Sequence, residues 1–213
     1  MPVKPKNTAC LINYLKFTPV VRIAIFASGG GSNAEKIIQY FEYHPTIQIA
    51  LVISNNKNSG VLGIADRYKV PSQVIHRKDM YESDHLLTLL KNYKIDLLVL
   101  AGFLWLIPAY LISAYTNKII NIHPSLLPKY GGKGMYGHHV HEAVKADQSA
   151  ISGMTVHLVN EKYDEGDIIF QKECKLNQDM NATEIAAEVL KLEHKYFSAV
   201  IENYITTHIN RLK

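Results

Sequence analysis

The sequence predicts an α/β fold: a Rossmann-like, mostly parallel twisted sheet with helices on both faces and a mixed or antiparallel edge. In the first half of the 213 residues, short apolar runs rich in β-branched residues alternate with segments of helical periodicity. That alternation favours right-handed βαβ units and a parallel sheet. In the second half, two strand-like runs at residues 153–159 and 167–171 lie close together. Because so short a connection cannot hold a crossover helix, the pair is expected to add antiparallel strands at one edge.

The individual elements follow from local patterns along the chain. Continuous apolar runs predict buried parallel strands at residues 21–27, 47–54, 73–75, 95–101 and 118–122. The run 95–101 is the most hydrophobic and is expected at the centre of the sheet. Helical spacing of apolar residues predicts helices at 34–43, 61–68, 81–93, 138–146 and 182–204. Pro108 is expected near the start of a further helix, and Asn181 or Thr183 is expected to cap the last one.

Composition and length favour one domain over residues 21–213, preceded by an N-terminal extension of residues 1–20. Hydrophobic residues make up 47% and charged residues 20% of the chain, an ordinary globular balance. The extension lacks the long apolar region of a signal peptide, and no run reaches the roughly 20 apolar residues of a membrane span. Cys10 and Cys174 are far apart and fit no disulfide framework, which predicts free thiols and a cytoplasmic location.

The charge distribution favours small-molecule partners. The net charge of +4 is mild, and no run of Lys or Arg concentrates it into a nucleic-acid footprint. Neither nucleic acid nor a membrane is therefore expected as a partner, and the sequence leaves monomer and homodimer open. His138, His139, His141 and His157 lie near each other in sequence, but their spacing matches no zinc signature. No metal is expected, and these histidines are interpreted as polar lining or helix surface, with a substrate contact by one of them left open.

A glycine-rich turn follows the first predicted strand and precedes the first helix. Residues 29–31 are all glycine and are followed by Ser32 and Asn33, whose side chains add donors to the helix start. Free N–H groups there form an anion pocket, which predicts a single phosphate on a small molecule. A dinucleotide site would need an acid where Asn55 and Asn56 stand, and a nucleotide-hydrolase loop would need Gly-Lys-Ser/Thr. The alternative is a tight turn without a ligand.

The second candidate motif lies at the end of the strand predicted at residues 118–122. Alternation along an extended chain places Asn121 and His123 on the same side, and Pro124 keeps His123 extended. An amide donor beside an imidazole suits acyl transfer, in which donors stabilise a tetrahedral oxyanion and a protonated His acts as general acid. That role requires a raised His pKa, for which Asp164 is the candidate carboxylate.

Four motifs occur in the order seen in the folate-dependent formyltransferases, which the chain resembles from about Arg22 to its end. They are Gly29-x-Gly31-Ser32-Asn33, Ala101-Gly102-Phe103, the eight residues from Asn121 to Pro128, and Asp164-Glu165-Gly166. The resemblance implies the formyltransferase fold. It also implies transfer of a formyl group from 10-formyltetrahydrofolate, as cosubstrate, to the amine of glycinamide ribonucleotide in purine biosynthesis.

The resemblance further implies roles for individual residues. Asp164 is implied to hold His123 cationic and to order a water for proton transfer. Trp105 stands where many relatives carry Arg, which predicts stacking on the folate in place of a charged contact. The glycine-rich loop 131–137 is longer than in the bacterial pattern and is either a lid or a flexible connection. The implied sites are the substrate phosphate (Gly31, Ser32, Asn33), the ribose (Glu193), catalysis (Asn121, His123, Asp164) and folate (Lys78, Leu104, Trp105, Leu106, Ile107, Asn121).

Three other functions remain as alternatives. One is hydrolysis of the formylfolate, which would ordinarily come with an upstream regulatory domain. Another is formyl transfer to tRNA or to a sugar nucleotide, and the tRNA enzyme would ordinarily carry a second C-terminal domain. The third is a catalytically silent module that binds a phosphorylated ligand, against which the combination of Asn121, His123 and Asp164 argues.

Overall fold

The computed structural model describes residues 20–209, so the extension expected at residues 1–20 lies outside the described residues except for Val20. The strands are β1 (Val21–Phe26), β2 (Ile47–Ser54), β3 (Ser72–Val74), β4 (Leu97–Leu100), β5 (Ile119–His123), β6 (Ile151–Leu158) and β7 (Ile168–Lys175). The helices are α1 (Ser32–Phe41), α2 (Gly60–Arg67), α3 (Arg77–Tyr81), α4 (His85–Asn92), α5 (Ala109–Ala114), α6 (His138–Ala146) and α7 (Ala182–Tyr204), with a π-helical turn at Ile205–Ile209.

Within the described residues, seven strands form one sheet in the order β3-β2-β1-β4-β5-β6-β7. The first five strands in this order run parallel, whereas β6 is antiparallel to β5 and β7 is antiparallel to β6. The predicted α/β class, the antiparallel edge and the central place of β4 are therefore confirmed. No helix in the described part of the chain is long and apolar enough to cross a membrane.

The core consists of two apolar layers, one on each face of the sheet. Along β1, Ile23 and Ile25 belong to the layer under α1, α2 and α7, while Ala24 and Phe26 belong to the layer under α3, α4 and α5. All four side chains are fully buried. Side chains alternate between the faces of a strand, so a continuous apolar run serves both layers at once.

The helix predicted at residues 81–93 is present as α4, but it begins at His85, and the sequence did not predict the separate short helix α3, which ends at Tyr81. The carboxylate of Asp79 accepts a hydrogen bond from the N–H of His76 at 2.8 Å, which fixes the start of α3. Ser83 Oγ accepts from the N–H of His85 at 3.3 Å, where α4 begins. A polar side chain that satisfies the backbone at the start of a helix favours a new helix over continuation of the preceding one.

The cap of α7 agrees with the sequence prediction at Asn181. Its Oδ1 accepts hydrogen bonds from the N–H groups of Thr183 and Glu184 at 2.9 and 3.0 Å. In return, the Glu184 carboxylate accepts from the N–H of Asn181 at 2.8 Å, which completes a capping box. This cap fixes where the 23-residue α7 begins, and therefore which of its residues face the sheet.

The chain leaves β1 and β4 toward opposite faces of the sheet, which opens a crevice at the carboxyl ends of these neighbouring strands. On the β1 side, Gly31 has φ 82° and lies against α2. A Cβ at Gly31 would lie 2.7 Å from the Cβ of Val61, so both the backbone conformation and the packing require glycine. The glycine turn and the crevice are thus next to each other.

Gly166 supports the loop between β6 and β7, and we expect Gly166→Ala to destabilise the protein. A Cβ at this position would lie 1.7 Å from the carbonyl oxygen of Leu158, so the backbone must move, at a cost of about 2 kcal/mol or more. Gly63 is the matched control, since a Cβ there meets nothing within 4 Å inside α2. Gly63→Ala is expected to stabilise by roughly 0.5–1 kcal/mol. Urea unfolding of both variants measures the difference, and wild-type stability in Gly166→Ala would contradict the contact.

Candidate active site

A cavity of about 510 Å³ occupies the carboxyl edge of the sheet. Its walls come from the carboxyl ends of β4, β5 and β6, the loop between β4 and α5, the glycine-rich loop 131–137, α6 and α7. The residues that line it include Asn33, Leu104, Trp105, Leu106, Ile107, Asn121, His123, Gly132, His138, His141, His157, Asp164, Leu190 and Glu193. Most of the residues predicted from the sequence therefore meet in one space.

The orientation of Asn121 is set by the pairing of β5 with β6. Asn121 lies directly opposite His157 in the antiparallel register, and its Nδ2 donates to His157 Nε2 at 3.0 Å. His157 Nδ1 donates to the carbonyl oxygen of Leu158 at 2.8 Å, so Nε2 is the unprotonated acceptor. Burial lowers the pKa of His157 below 6.5, which agrees with a neutral ring. Within residues 20–209, Asn121 has no other side-chain hydrogen bond, so its Oδ1 and second N–H can bind a ligand.

His123 is the last residue of β5 and is 4% exposed. Its Nε2 donates to the carbonyl oxygen of Tyr130 at 2.8 Å, and its Nδ1 lies 3.5 Å from Oδ2 of Asp164. One ring nitrogen is thus held by the backbone, while the other faces a carboxylate at the cavity surface.

Thr155 pairs with His123 across β5 and β6, and its side chain fixes the segment that follows His123. Thr155 Oγ1 donates to the carbonyl oxygen of Ser125 at 2.6 Å and accepts from the N–H of Leu127 at 3.0 Å. Gln171, on β7, donates from its Nε2 to Thr155 Oγ1 at 2.9 Å and to the carbonyl oxygen of Leu127 at 2.8 Å. These bonds make the turn that follows β5 rigid, so the His123 ring is held at a fixed place.

Asp164 lies between the two histidines and reaches the cavity from the loop after β6. Its backbone has φ 55°, a left-handed conformation that Asp tolerates better than most residues. Oδ1 lies 3.7 Å from His157 Nε2, and Oδ2 accepts from the N–H of Gly132 at 2.9 Å. The side chain is 14% exposed. The carboxylate therefore contacts β5 through His123, β6 through His157 and the glycine-rich loop through Gly132.

The pKa of His123 differs from the sequence expectation. Burial lowers it below 6.5, and the nearby charge of Asp164 and the Tyr130 carbonyl act in the opposite direction without overcoming burial. The expected raised pKa is therefore wrong, because the cost of placing a charge in a closed site exceeds the attraction of one carboxylate. At neutral pH the ring is neutral and can accept a proton.

Asn33 and Glu193 form a polar pair at the α1–α7 end of the cavity. Asn33 Nδ2 donates to Glu193 Oε2 at 2.6 Å, and Asn33 Oδ1 is buried without a partner among the described residues. Glu193 is 7% exposed, and burial raises its pKa to about 7 against the opposing effect of the Asn33 bond. The pair can both donate to and accept from a ligand hydroxyl.

Gly31 and Ser32 are not among the residues that line the cavity, although Gly29 and Asn33 on either side of them are. Gly31 is the N-cap of α1 and Ser32 is its first residue. The N–H of Glu35 is the first in α1 to pair, with the carbonyl oxygen of Gly31 at 2.8 Å. The N–H groups that precede it lack helical partners and are oriented toward the end of the helix. The anion pocket predicted from the glycines remains a prediction, and the geometry agrees with it.

The segment from Leu104 to Ile107 forms the opposite end of the cavity. Trp105 packs at its mouth, and the guanidinium of Arg77 lies 5.6 Å from the Trp105 ring and 5.3 Å from the Tyr81 ring. The hydroxyl of Tyr81 donates to the carbonyl oxygen of Leu106 at 2.9 Å. Lys78, predicted for folate, and its neighbour Arg77 are both exposed, and neither lines the cavity. Arg77 differs in that its guanidinium lies over the ring of Trp105, which does line the cavity.

Sequence reasoning missed the contact of His157 with Asn121 and the position of Arg77 over the Trp105 ring. The sequence held a signal for His157, because both β5 and β6 were predicted as strands. Once these strands pair, His157 lies opposite Asn121. Arg77 was not singled out, because the contact was assigned to Lys78 from the family resemblance alone and no element was predicted where the short helix α3 lies. No group of three or more His, Cys, Asp or Glu side chains within residues 20–209 could hold a metal ion.

The raised pKa of Glu193 predicts a pH-dependent stability difference. Because the folded-state pKa is about 7 and the unfolded value is 4.5, the unfolded chain releases this proton first. The stability of the wild type therefore falls as pH rises from 4.5 to 7, by up to about 3 kcal/mol. The stability of Glu193→Gln is expected not to fall in this way, because glutamine does not titrate. Unfolding free energies measured at pH 5 and pH 7.5 test this, and equal pH dependence in both proteins would contradict a buried, protonated Glu193.

A model of the formyl transferase family matches residues 21–201. The phosphoribosylglycinamide formyltransferase of Bacillus subtilis is 34% identical over 190 residues, which cover 86% of this chain and 94% of that protein. The crystal structure of phosphoribosylglycinamide formyltransferase from Brucella melitensis is 34% identical with a TM-score of 0.78, covering 87% of this chain and 95% of that chain.

The chloroplastic phosphoribosylglycinamide formyltransferase of Arabidopsis thaliana is 38% identical over 186 residues, which are 84% of this chain. This chain spans about three fifths of the length of the plant relatives it matches, 64% for Arabidopsis thaliana and 60% for Vigna unguiculata. The family match, however, extends over most of the sequence and includes every motif of the cavity. The chain belongs to the formyl transferase family.

Proposed function

We propose that this protein transfers the formyl group of 10-formyltetrahydrofolate to the amine of glycinamide ribonucleotide, giving formylglycinamide ribonucleotide and tetrahydrofolate. The observation that carries the proposal is the placement of Asn121, His123 and Asp164 around one point of one cavity. The names of the relatives from Bacillus subtilis and Brucella melitensis support the same reaction.

In the first step, the amine nitrogen bonds to the formyl carbon and the carbonyl electron pair moves onto oxygen. Asn121 Nδ2 donates its remaining N–H to this oxyanion, while its other N–H stays on His157. The hydrogen bond to His157 fixes the Asn121 amide before the substrate arrives. The amide therefore needs no reorganisation when negative charge develops on the formyl oxygen.

In the second step, the attacking nitrogen loses a proton and N10 of the folate gains one as the C–N10 bond breaks. His123 begins neutral, since burial lowers its pKa, and its Nδ1 accepts the proton. Asp164, 3.5 Å away, stabilises the imidazolium until the proton passes to N10. No net proton is gained or lost, so His123 returns to its starting state after each turnover.

The two ends of the cavity suit the two substrates. The turn formed by Gly31, Ser32 and Asn33 offers N–H groups to the phosphate of glycinamide ribonucleotide, and Glu193 contacts its ribose. At the other end, Leu104, Leu106 and Ile107 offer an apolar wall and backbone polar groups to the pterin ring. Between these ends, the amine and the formyl carbon meet beside Asn121.

A cytoplasmic location and exclusively small-molecule partners belong to the same proposal. Cys174 is a free thiol whose pKa is raised by burial, which suits a reducing compartment and argues against a reactive role.

The direct test mixes the purified protein with both substrates and follows folate product by absorbance. Turnover is expected only when glycinamide ribonucleotide and 10-formyltetrahydrofolate are both present. His123→Ala is expected to lower kcat by roughly 10²–10⁴-fold while keeping nucleotide binding measured by calorimetry. The control is His139→Ala, since His139 is 62% exposed. Hydrolysis of the folate without the nucleotide would instead favour the hydrolase alternative.

We expect Arg77, rather than Lys78, to contribute to folate binding. Arg77 is held by the Tyr81 and Trp105 rings at the cavity mouth, where it can pair with the carboxylates of the folate tail. Arg77→Ala is expected to raise the KM for the formylfolate roughly 3- to 10-fold and leave the KM for the nucleotide unchanged. Lys78→Ala is the matched control on the next residue. A larger effect in Lys78→Ala than in Arg77→Ala would restore the original sequence prediction.

A further inference from the structure

His141 is a buried cavity residue that the proposed chemistry does not use. It lies on α6, borders the cavity and is only 6% exposed. Neither ring nitrogen has a hydrogen-bond partner among residues 20–209, and Nδ1 is closed off from solvent. A buried polar group left without a partner costs about 1–3 kcal/mol. Because the ring borders the cavity, a ligand can supply a partner to Nε2 but not to the enclosed Nδ1.

The surroundings of the ring determine its charge and tautomer. Burial, with the nearby rings of His138 and His123, lowers the pKa of His141 to about 4, so the ring is neutral at neutral pH. Buried N–H groups without an acceptor are rarer than buried acceptors without a donor, which places the single proton on Nε2. Since Nδ1 is enclosed and the ring borders the cavity, Nε2 is the nitrogen with access to a ligand.

The position of α6 assigns His141 to one end of the cavity. α6 packs along α7, which lines the cavity with Ala186, Leu190 and Glu193. This end is the one proposed for the nucleotide, whereas the folate segment at Leu104 to Ile107 comes from the connection between β4 and α5. A ligand group that reaches Nε2 of His141 therefore belongs to the amine substrate.

We infer that His141 is a specificity-determining residue that donates its Nε2–H to an uncharged oxygen of the amine substrate, an amide carbonyl or a ribose hydroxyl. The inference rests on the proposed function and assigns this contact in addition to those of Asn33 and Glu193. A neutral donor suits an uncharged oxygen, because no ion pair forms and no charge has to be buried. The site thus recognises the acceptor through a side chain that takes no part in proton transfer.

The test uses two substitutions at position 141 and one on the exposed side of the same helix. His141→Phe keeps an aromatic ring but removes both nitrogens, and His141→Gln keeps an N–H donor close to the position of Nε2. We expect His141→Phe to raise the KM for glycinamide ribonucleotide roughly 3- to 10-fold, with kcat and the KM for the formylfolate unchanged. His141→Gln is expected to restore most of the lost affinity. His139→Phe, at an exposed position, is expected to behave like the wild type.

Calorimetric titration of the nucleotide into each protein separates the failure of this inference from failure of the proposed function. Binding needs no turnover, so weaker binding to His141→Phe supports the contact even if the wild type transfers no formyl group. Equal nucleotide affinity in the wild type and His141→Phe would overturn the inferred contact. An equal rise in the KM for glycinamide ribonucleotide and the KM for the formylfolate would do so as well. Thermal unfolding confirms that each variant is folded, and a merely structural role would lower stability without the selective change in nucleotide affinity.

Discussion

The interaction on which the rest of the site depends is the approach of the Asp164 carboxylate to two buried histidines. Asp164 approaches His123 at 3.5 Å and His157 at 3.7 Å, and it also accepts the N–H of Gly132. These partners come from two strands and one loop, so a single side chain joins three parts of the fold. Of these three groups, the N–H of Gly132 is the hydrogen-bond donor, since the protons of the neutral rings lie on His123 Nε2 and His157 Nδ1. The carboxylate becomes the partner of an ion pair only when one of the two rings takes up a proton.

Burial lowers the pKa of each histidine and the charge of Asp164 raises it, and burial has the larger effect. The pKa values of His123 and His157 are both lowered, although Asp164 raises each. Both rings are therefore neutral before substrate binds. They differ in their partners: His157 uses both nitrogens within the protein, whereas His123 keeps Nδ1 at the cavity surface. The same residue type thus positions an amide in one strand and, in the proposed reaction, carries a proton in the other.

The sheet and its order were predictable, because the alternation of apolar runs and helices leaves few topologies open. The Asn121–His123 pair was predictable from period-two alternation followed by proline. The pKa of His123 was not, since it depends on how completely the loops close over the ring, and sequence does not give that depth. Nor was the break between α3 and α4 predictable from the apolar stripe, because it depends on bonds from the Asp79 and Ser83 side chains.

The antiparallel pairing of β5 with β6 has a further consequence for how this protein can change over time. Asn121 meets His157 only because these residues are exactly opposite in the register. Side chains alternate along a strand, so the insertion or loss of one residue within β6 would turn His157 toward the other face of the sheet. The 159–167 connection has more freedom in length, provided that Asp164 still reaches the two rings. Natural variation is therefore expected to collect in the loop and to spare the length of the strand.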